Sequence, residues 1–393
     1  MNPAASHSLV GKTAYRRNLV QNQSAACSCI YAFASAGYTE STSDLIFSGH
    51  SVMAENGHIL AEQADLPATD YMLVQDCDLG RIRAERRKNA TFRSSAQRYA
   101  GGMLTTVGGA DALRSDGSLY PLQKLPFIPS TKTERHIYCN EIFQLQVTGL
   151  KQRLTAIGGA NAVIGISGGL DSTLALLVAV EAMRQLGRPT TDVYGVTMPC
   201  FGTSDRTYQN AWELMRTLGI NAKEISIKNA VTLHFEDIGH DMSVRNGTYE
   251  NSQARERTQI LMDVANQLNG MVIGTGDLSE LALGWATYNG DHMSMYAVNA
   301  SVPKTLVRHV VEFYANRSKG KLKAVLEDIL DTPVSPELIP SNDDTIKQVT
   351  EDIVGPYILH DYFLYSMIKR GFSPSKIYYT AVNTFKGVIS KWF

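Results

Sequence analysis

Short apolar runs alternate with amphipathic segments through the middle of the chain. The runs with strand character are residues 162–166, 192–198, 223–227 and 271–273. Each is followed by a stretch with apolar residues at helical spacing, which is typical of repeated strand–helix units. Such units predict a doubly wound parallel sheet with right-handed crossovers, in which ligands bind at the carboxyl ends of the strands. The fold class is therefore predicted to be α/β.

The first hundred residues show a different pattern. A helix is predicted over residues 15–36, strands over 44–54, 58–62 and 71–79, and a second helix over 81–98. Asn56-Gly57 between two apolar runs indicates a hairpin. Scattered Gly, Ser, Pro and Asp predict a linker over residues 101–133. We expect a first domain over 1–100 and a second over 134–393, with helices after residue 303 interrupted by a loop at 332–338.

Composition narrows the function classes. The 393 residues are 44% hydrophobic and carry a net charge of −1, and no run approaches the ~20 apolar residues of a membrane span. The basic run from Arg81 to Lys88 is interrupted by Glu85, which favours a solvated helix face or a subunit contact over nucleic-acid binding. Five cysteines without a Cys-x-x-Cys pair predict free thiols. We expect a cytoplasmic homo-oligomer without nucleic-acid or membrane partners.

The segment Ser167-Gly168-Gly169-Leu170-Asp171-Ser172, here called the phosphate loop, joins the first strand of this alternation to a helix. Adjacent glycines allow close backbone approach, and hydroxyls beside free amides at a helix start suit a phosphate. Asp171 would repel that phosphate unless a cation lay between them, so we infer a magnesium ion. Gly165 and Ile166 lead into the same site. The loop resembles the Ser-Gly-Gly-x-Asp-Ser motif of the ATP pyrophosphatase superfamily, the alternative being a chance Gly-Gly turn.

A second strand end carries Gly274-Thr275-Gly276-Asp277-Leu278-Ser279-Glu280. Asp277 is predicted to cap the next helix, and Glu280 one turn later to face the phosphate loop. Two carboxylates from neighbouring strand ends favour a shared magnesium ion held by Asp171 and Glu280, although capping alone would also explain Glu280. Trp285 and Tyr288, beside glycines, are interpreted as a surface on which a ligand ring stacks, with a core position as the alternative.

The segments Tyr249-Glu250-Asn251-Ser252-Gln253-Ala254-Arg255, 271–293 and Val302-Pro303-Lys304-Thr305-Leu306 resemble the glutamine-dependent NAD synthetases. The resemblance implies ATP contacts by Thr275 and Lys304 in addition to Gly165, Ile166, Ser167, Gly168, Gly169, Leu170, Asp171 and Ser172. It implies deamido-NAD contacts by Asn251, Arg255, Glu280, Trp285, Ala286, Thr287, Tyr288 and Asp291. Asp171 and Lys304 are the predicted catalytic residues. The implied fold is an ATP-pyrophosphatase domain.

Residues 2–62 resemble the C-terminal half of the nitrilase-type glutaminase domain in that family, with Gly49-His50-Ser51 among the matching motifs. By this resemblance Ser6 and Lys12 fall at the glutamine site, although some members have arginine where Lys12 stands. The family's Glu-Lys-Cys triad would precede residue 1, and Cys27 and Cys29 are expected to be inert thiols in a helix. We expect the sequence as given to lack both that half and a C-terminal tail.

The resemblance implies ATP-dependent amidation of deamido-NAD through an adenylated carboxylate. Ammonia normally comes from glutamine in this family, and we predict that this chain uses ammonium alone. Two alternatives remain at this point. One is another amidotransferase or a tRNA-thiolating enzyme of the same superfamily, and the other is a non-catalytic remnant that retains nucleotide binding.

Overall fold

The computed structural model describes residues 1–40, 44–63, 66–67, 69–99, 119–202, 205–332 and 350–387. The strands are β1 Asn2–Ala4, β2 Ile30–Ser35, β3 Ser51–Glu55, β4 His58–Gln63, β5 Asn161–Gly165, β6 Val193–Thr197, β7 Asn221–Glu224, β8 Gly270–Gly274 and β9 Tyr296–Ala297. The helices are α1 Lys12–Ala26, α2 Leu79–Lys88, α3 Ala90–Tyr99, α4 Lys132–Ala156, α5 Leu170–Gln185, α6 Asp205–Leu218, α7 Lys228–Asp237, α8 Gly247–Gln267, α9 Leu278–Leu283, α10 Lys304–Arg317, α11 Gly320–Asp331, α12 Thr350–Val354, α13 Tyr357–Ile368 and α14 Pro374–Thr384.

The chain forms two compact units. One contains Met1–Lys124 and Phe363–Lys391, and the other contains Leu125–Tyr362. The predicted division at residues 100 and 133 stays a prediction. No helix in the described part of the chain is both long and apolar enough to cross a membrane.

The second unit contains a five-stranded sheet in the order β7-β6-β5-β8-β9, with every neighbouring pair parallel. From the central strand β5, the chain adds β6 and then β7 on one side of the sheet. It then adds β8 and β9 on the other side of β5. The strand order therefore reverses between β5 and β8, and in open α/β sheets ligands bind outside the carboxyl ends at such a point. The predicted doubly wound parallel sheet is confirmed.

Two hydrophobic layers cover the two faces of this sheet. Ala162 and Ile164 of β5 pack in the layer that includes α4, α5 and α10, whereas Val163 packs in the layer of α7 and α8. Successive strand residues point to opposite faces, so an uninterrupted apolar run is what burial on both faces requires. The layers hold β5 rigidly and so fix the start of the phosphate loop.

The first unit contains a smaller sheet in the order β1-β2-β3-β4. β1 pairs parallel with β2, and the other two pairs are antiparallel. The predicted hairpin is present, since Asn56 and Gly57 join β3 to β4 with φ of 45° and 85°. Two consecutive positive φ values are what a tight hairpin of this hand needs. Val20 of α1 packs in one cluster with residues of β2 and β3.

The predicted helix over residues 15–36 is wrong in its second half. α1 ends at Ala26, and residues 30–35 form β2, which pairs with β3 from Ile30 opposite Glu55 to Ala34 opposite Ser51. Ser28 turns the chain with φ of 42°. Helical spacing in this segment was outweighed by sheet pairing, because β-branched and aromatic side chains gain more on a half-buried sheet. Cys27 and Cys29 consequently lie in the turn after the helix, and Cys27 is exposed.

Four other predicted elements differ from the structure. The strand predicted over residues 223–227 is β7, which spans Asn221–Glu224. Residues 71–78 form no strand, and β3 begins only at Ser51 instead of residue 44. The helix predicted over 81–98 is two helices separated at Asn89, whose side chain accepts a hydrogen bond from Phe92 N at 2.9 Å. A side chain that caps a new helix competes with continuation of the old one. The linker residues 101–118 and the loop residues 333–338 lie outside the described residues.

Candidate functional site

The phosphate loop is braced by its own hydroxyls. Ser167 Oγ accepts a hydrogen bond from Gly169 N at 3.1 Å and lies 3.1 Å from Ser172 Oγ, which in turn donates to Gly169 O at 3.1 Å. Helix α5 then begins at Leu170. The amino end of this helix thus faces the carboxyl edge of the sheet, where a phosphate would meet its amides and its dipole.

Gly168 is required by the backbone of the loop. Its φ is +88°, and a Cβ at this position would lie 2.1 Å from the carbonyl oxygen of Thr207. Both the left-handed conformation and the close approach of α6 exclude any side chain. From the sequence, the glycines are interpreted as allowing close backbone approach. The structure adds that the backbone of Thr207 leaves no room for a side chain at Gly168.

Three carboxylates surround one ammonium group beside the loop. Lys304 Nζ lies 2.8 Å from Asp171 Oδ2, 2.6 Å from Asp277 Oδ2 and 2.7 Å from Glu280 Oε1. We call Asp171, Asp277 and Glu280 the carboxylate cluster; one oxygen of each lies within 4.8 Å of the others. The predicted meeting of Asp171 with Glu280 is present in this structure, and Lys304 at the first position of α10 holds them together.

Asp277 belongs to this cluster, although the sequence indicated only a helix cap. It does cap α9, because its side chain accepts hydrogen bonds from Ser279 N at 2.8 Å and Glu280 N at 2.9 Å. Glu280 completes the capping box by accepting from Asp277 N at 3.4 Å. Capping and membership of the cluster therefore coexist in the same two side chains. No spacing rule in the sequence signals the second role of Asp277.

Burial sets the ionisation of the cluster. It raises the pKa of Asp277 to about 7; the Lys304 ammonium counteracts the rise, and the charges of Asp171 and Glu280 add to it. The pKa of Glu280 is also raised, first by burial and then by Asp171. Burial alone would lower the pKa of Lys304, but the three carboxylates raise it above its ordinary value. The Lys304 ammonium is therefore charged, and this single positive charge faces three carboxyl groups.

Asp361 of α13 ties together the helices that carry these groups. This fully buried carboxylate accepts hydrogen bonds from Ser279 Oγ and, at 2.9 Å, from Thr305 N. Ser279 Oγ accepts from Lys304 N at 2.9 Å. The amino ends of α9 and α10 are thereby held side by side. A carboxylate at two helix starts is electrostatically favoured, but Asp361 lies 81 residues beyond Glu280 and no motif pointed to it.

The 285–291 segment meets helix α8. Asn251 Oδ1 accepts a hydrogen bond from Thr287 Oγ1 at 2.8 Å, and Arg255 Nε donates to Tyr288 O at 3.1 Å. Asn251 and Arg255 are four residues apart, so they share one helix face as their spacing predicted. Asp291 Oδ1 closes the segment on itself by accepting from Thr287 N at 2.7 Å.

The two aromatic side chains of this segment are not core residues. Trp285 is 37% exposed and Tyr288 is 76% exposed. The Tyr288 ring stacks on His292 with 6.1 Å between centroids. A small cavity is lined by Glu280 of the cluster and by Ala286 and Asp291 of the segment, so these three residues border a common space.

Thr275 directly follows β8, and its carbonyl oxygen accepts a hydrogen bond from Asn299 Nδ2 at 3.0 Å. Ser6 and Lys12 lie in the first unit. Ser6 Oγ accepts from Arg16 Nη1 at 3.3 Å, and Lys12 Nζ lies 3.4 Å from a ring nitrogen of His7. A role for these two residues in glutamine binding stays a prediction.

Comparison with known proteins gives consistent matches. The chain is 41% identical to the glutamine-dependent NAD(+) synthetase of Mycobacterium leprae over 393 residues, covering 96% of this chain and 57% of that relative. It is 33% identical over 262 residues to the protein of the same name from Synechocystis sp., covering 65% of this chain and 42% of the relative. The match thus spans 57% of the length of the first relative and 42% of the second.

Solved structures share the fold. The NMN synthetase from Francisella tularensis superimposes with a TM-score of 0.50 at 25% identity, covering 64% of this chain and 94% of that chain. A glutamine-dependent NAD(+) synthetase from Cytophaga hutchinsonii gives a TM-score of 0.50 at 18% identity, covering 97% of this chain and 58% of that one. The family model for NAD synthase matches residues 142–384, which include the phosphate loop, the carboxylate cluster and the 285–291 segment. This chain belongs to the NAD synthase family.

Proposed function

We propose that the chain forms NAD from deamido-NAD, ATP and ammonia. The nicotinate carboxylate oxygen attacks the α-phosphorus of ATP, and pyrophosphate leaves. Ammonia then attacks the carbonyl carbon of the adenylated intermediate, loses a proton, and AMP leaves with the bonding electrons. The observation that carries the proposal is the Lys304 ammonium among three carboxylates at the mouth of the phosphate loop.

The phosphate loop is the site proposed for the triphosphate. Its glycines bring the backbone close to the ligand, and the start of α5 offers amides and a positive dipole end. Little covalent chemistry is then required of the protein, because displacement at phosphorus depends on alignment and on charge stabilisation. No side chain has to act as a covalent nucleophile.

The carboxylate cluster suits a magnesium ion. Its ligand atoms are carboxylate oxygens, which this ion prefers, and they lie close enough together to share one cation. Asp171 Oδ1 is buried and has no hydrogen-bond partner among the described residues, so it retains a free ligand position. When bound, the ion would neutralise phosphate charge. Asp171 and Glu280 are the residues proposed to hold it, and Asp277 is added to them.

Lys304 is proposed to balance charge near the α-phosphate. Its side chain is only 7% exposed, and its ammonium is oriented by three ion pairs and by the Tyr357 ring, whose centroid lies 5.4 Å away. A cation held in a dry site interacts strongly with charge that develops in a transition state. Its fixed position costs no reorganisation during the reaction.

The 285–291 segment is proposed to receive the nicotinate end of deamido-NAD. Trp285 and Tyr288 present exposed ring faces, and Asn251 and Arg255 hold the segment from α8. Ala286 and Asp291 of the segment border a small cavity together with Glu280, so a nicotinate ring stacked on the exposed aromatic side chains is proposed to place its carboxylate near Glu280.

The test is a turnover assay on the full chain and on Asp171→Ala. We expect ATP-dependent NAD formation by the unsubstituted chain, and at least a ~100-fold loss in the variant, because removing an electrostatic group at the reacting centre costs this much. NAD and AMP are quantified by chromatography, with ammonium or glutamine as the nitrogen source. Unchanged circular dichroism of Asp171→Ala is the control for folding.

Near-normal turnover of Asp171→Ala would contradict the proposal. Binding of ATP and deamido-NAD without any product from the unsubstituted chain would instead support the non-catalytic alternative. Formation of NAD with glutamine and no added ammonium would contradict the prediction that ammonium alone serves as the nitrogen source.

A further inference from the structure

A buried side-chain amide joins the two strand ends that carry the site. Asn299 lies in the turn after β9, and its side chain is inaccessible to solvent. Its Nδ2 donates to Asp171 O at 2.9 Å and to Thr275 O at 3.0 Å. One carbonyl belongs to the first turn of α5 and the other follows β8. Asn299 therefore reaches across the end of β8 to the element that follows β5.

A second amide fixes the orientation of the first. Gln146 of α4 donates from Nε2 to Asn299 Oδ1 at 3.0 Å and to Val298 O at 2.9 Å. Carbonyl oxygens only accept hydrogen bonds, so the Asn299 amide must present its NH2 group to Asp171 and Thr275. Gln146 holds the opposite end of that amide. The pair forms a buried polar link from α4 through the turn after β9 to the phosphate loop.

We infer that Asn299 is a positioning residue for ATP, which sets the separation of the phosphate loop from the Thr275 turn, and that Gln146 orients it. The inference rests on the proposed function, since it assigns ATP to these two loops. Asn299 does not touch the deamido-NAD segment in any contact described above. That segment is held separately by Asn251, Arg255 and Asp291. Loss of the Asn299 side chain should therefore weaken the binding of ATP and leave the binding of deamido-NAD unchanged.

The physical reason is that hydrogen bonds to main-chain carbonyls hold backbone positions. Without the two donors, Asp171 O and Thr275 O keep their places only through their own chain segments. These backbone segments carry the side chains of Asp171 and Glu280. A small shift of either segment would therefore move a carboxylate relative to the triphosphate. A displacement of about 1 Å near a reacting group is enough to lower its efficiency strongly.

The experiment measures ATP and deamido-NAD affinities by calorimetry for the full chain and for Asn299→Leu. We expect the dissociation constant for ATP to rise about tenfold, which corresponds to the loss of one to two hydrogen bonds. The constant for deamido-NAD should change less than about twofold. If Asn299 had a merely structural role, its substitution would weaken the binding of both ligands or of neither.

Asn161→Leu is the matched control. Asn161 lies at the opposite end of β5, where its Nδ2 donates to Leu268 O at 2.9 Å. It loses the same kind of hydrogen bond far from the carboxyl edge. We expect both leucine variants to unfold at lower temperature, but only Asn299→Leu to lose ATP affinity selectively.

Gln146→Leu keeps the inference testable if Asn299→Leu fails to fold. This variant leaves both Asn299 hydrogen bonds to the loops possible but removes the group that orients Asn299, together with the hydrogen bond to Val298 O. A smaller, ATP-selective loss is therefore expected. Equal ATP affinities in the Asn299, Gln146 and Asn161 variants would overturn this inference but would leave the proposed function untouched. Absence of ATP binding by the unsubstituted chain would contradict the proposed function and the inference with it.

Discussion

Glu280 of the carboxylate cluster and the 285–291 segment border one small cavity, but the cluster and the segment are built in opposite ways. In the cluster, Asp277 is buried and Asp171 and Glu280 are about a quarter exposed, and ion pairs to Lys304 of α10 hold all three carboxylates. The segment is exposed and is held through one side chain and one main-chain carbonyl by α8, while its aromatic rings remain open to solvent. Charges work best when they are fixed in a dry site, whereas a stacking surface has only to be accessible.

This difference predicts that substitutions will act in different ways in the two regions. Changes in the cluster should alter stability and its dependence on pH and Mg²⁺ even without substrate. Changes in the segment should leave the free protein nearly unaffected and appear only when deamido-NAD binds.

The largest effect is expected for Lys304→Met. Removing the ammonium leaves buried carboxylates without a counter-charge, which typically costs about 3–5 kcal/mol. Thermal and urea unfolding without ligands measure the loss. Mg²⁺ should restore more stability to this variant than to the unsubstituted chain, because the vacated position is surrounded by carboxylate oxygens.

Lys323→Met is the matched control for that substitution. Lys323 is exposed and pairs with Glu327 at 3.6 Å on the same helix, so its loss should cost no more than ~0.5 kcal/mol. A cost for Lys304→Met no larger than for Lys323→Met would show that the buried ion pairs do not stabilise the cluster.

A smaller effect is expected for the pH dependence of Asp277→Asn. The pKa of Asp277 is about 7 in the folded chain, above the ordinary value of 3.8, so between these pH values the folded state retains a proton that the unfolded state releases. This group therefore stabilises the fold below about pH 4, and its contribution is lost as the pH rises through 7.

Unfolding temperatures between pH 4 and 7, without Mg²⁺ or nucleotide, test this prediction. Asp277→Asn should lose less stability with rising pH than the unsubstituted chain does. Asp237→Asn, at an exposed position at the end of α7, is the control. Parallel pH curves for Asp277→Asn and the unsubstituted chain would contradict the assignment of the raised pKa to Asp277.

The smallest effect is expected for Tyr288→Ala. Its ring is mostly exposed and stacks on His292, so the free protein should be as stable as before. Loss of one stacking partner is worth ~0.5–1.5 kcal/mol, which predicts a dissociation constant for deamido-NAD about two- to tenfold higher.

Calorimetry with deamido-NAD and with ATP measures both affinities for Tyr288→Ala, with Tyr378→Ala in the first unit as the control. Only the deamido-NAD constant of Tyr288→Ala should change. An equal loss of ATP affinity would mean that the segment supports the phosphate loop and is not a separate surface.

The strand–helix alternation and the phosphate loop were predictable because each depends on neighbours in the sequence. The apolar run of β5 needs burial on both faces, and Gly168-Gly169 before a helix indicates close backbone approach. The helix predicted over residues 15–36 shows where this reasoning ends. Pairing of β2 with β3 joins residues about 20 positions apart, and helical spacing carries no information on such a partner.

The sequence by itself determined the doubly wound sheet, the phosphate loop and the predicted approach of Glu280 to Asp171, because strand ends in a parallel sheet meet at one edge. Only the tertiary structure decided that Asp277 joins them, that Lys304 lies among all three, and that Asn299 links the two strand ends. These side chains come from segments up to 133 residues apart. Their contacts arise from three-dimensional packing, and no local pattern encodes them.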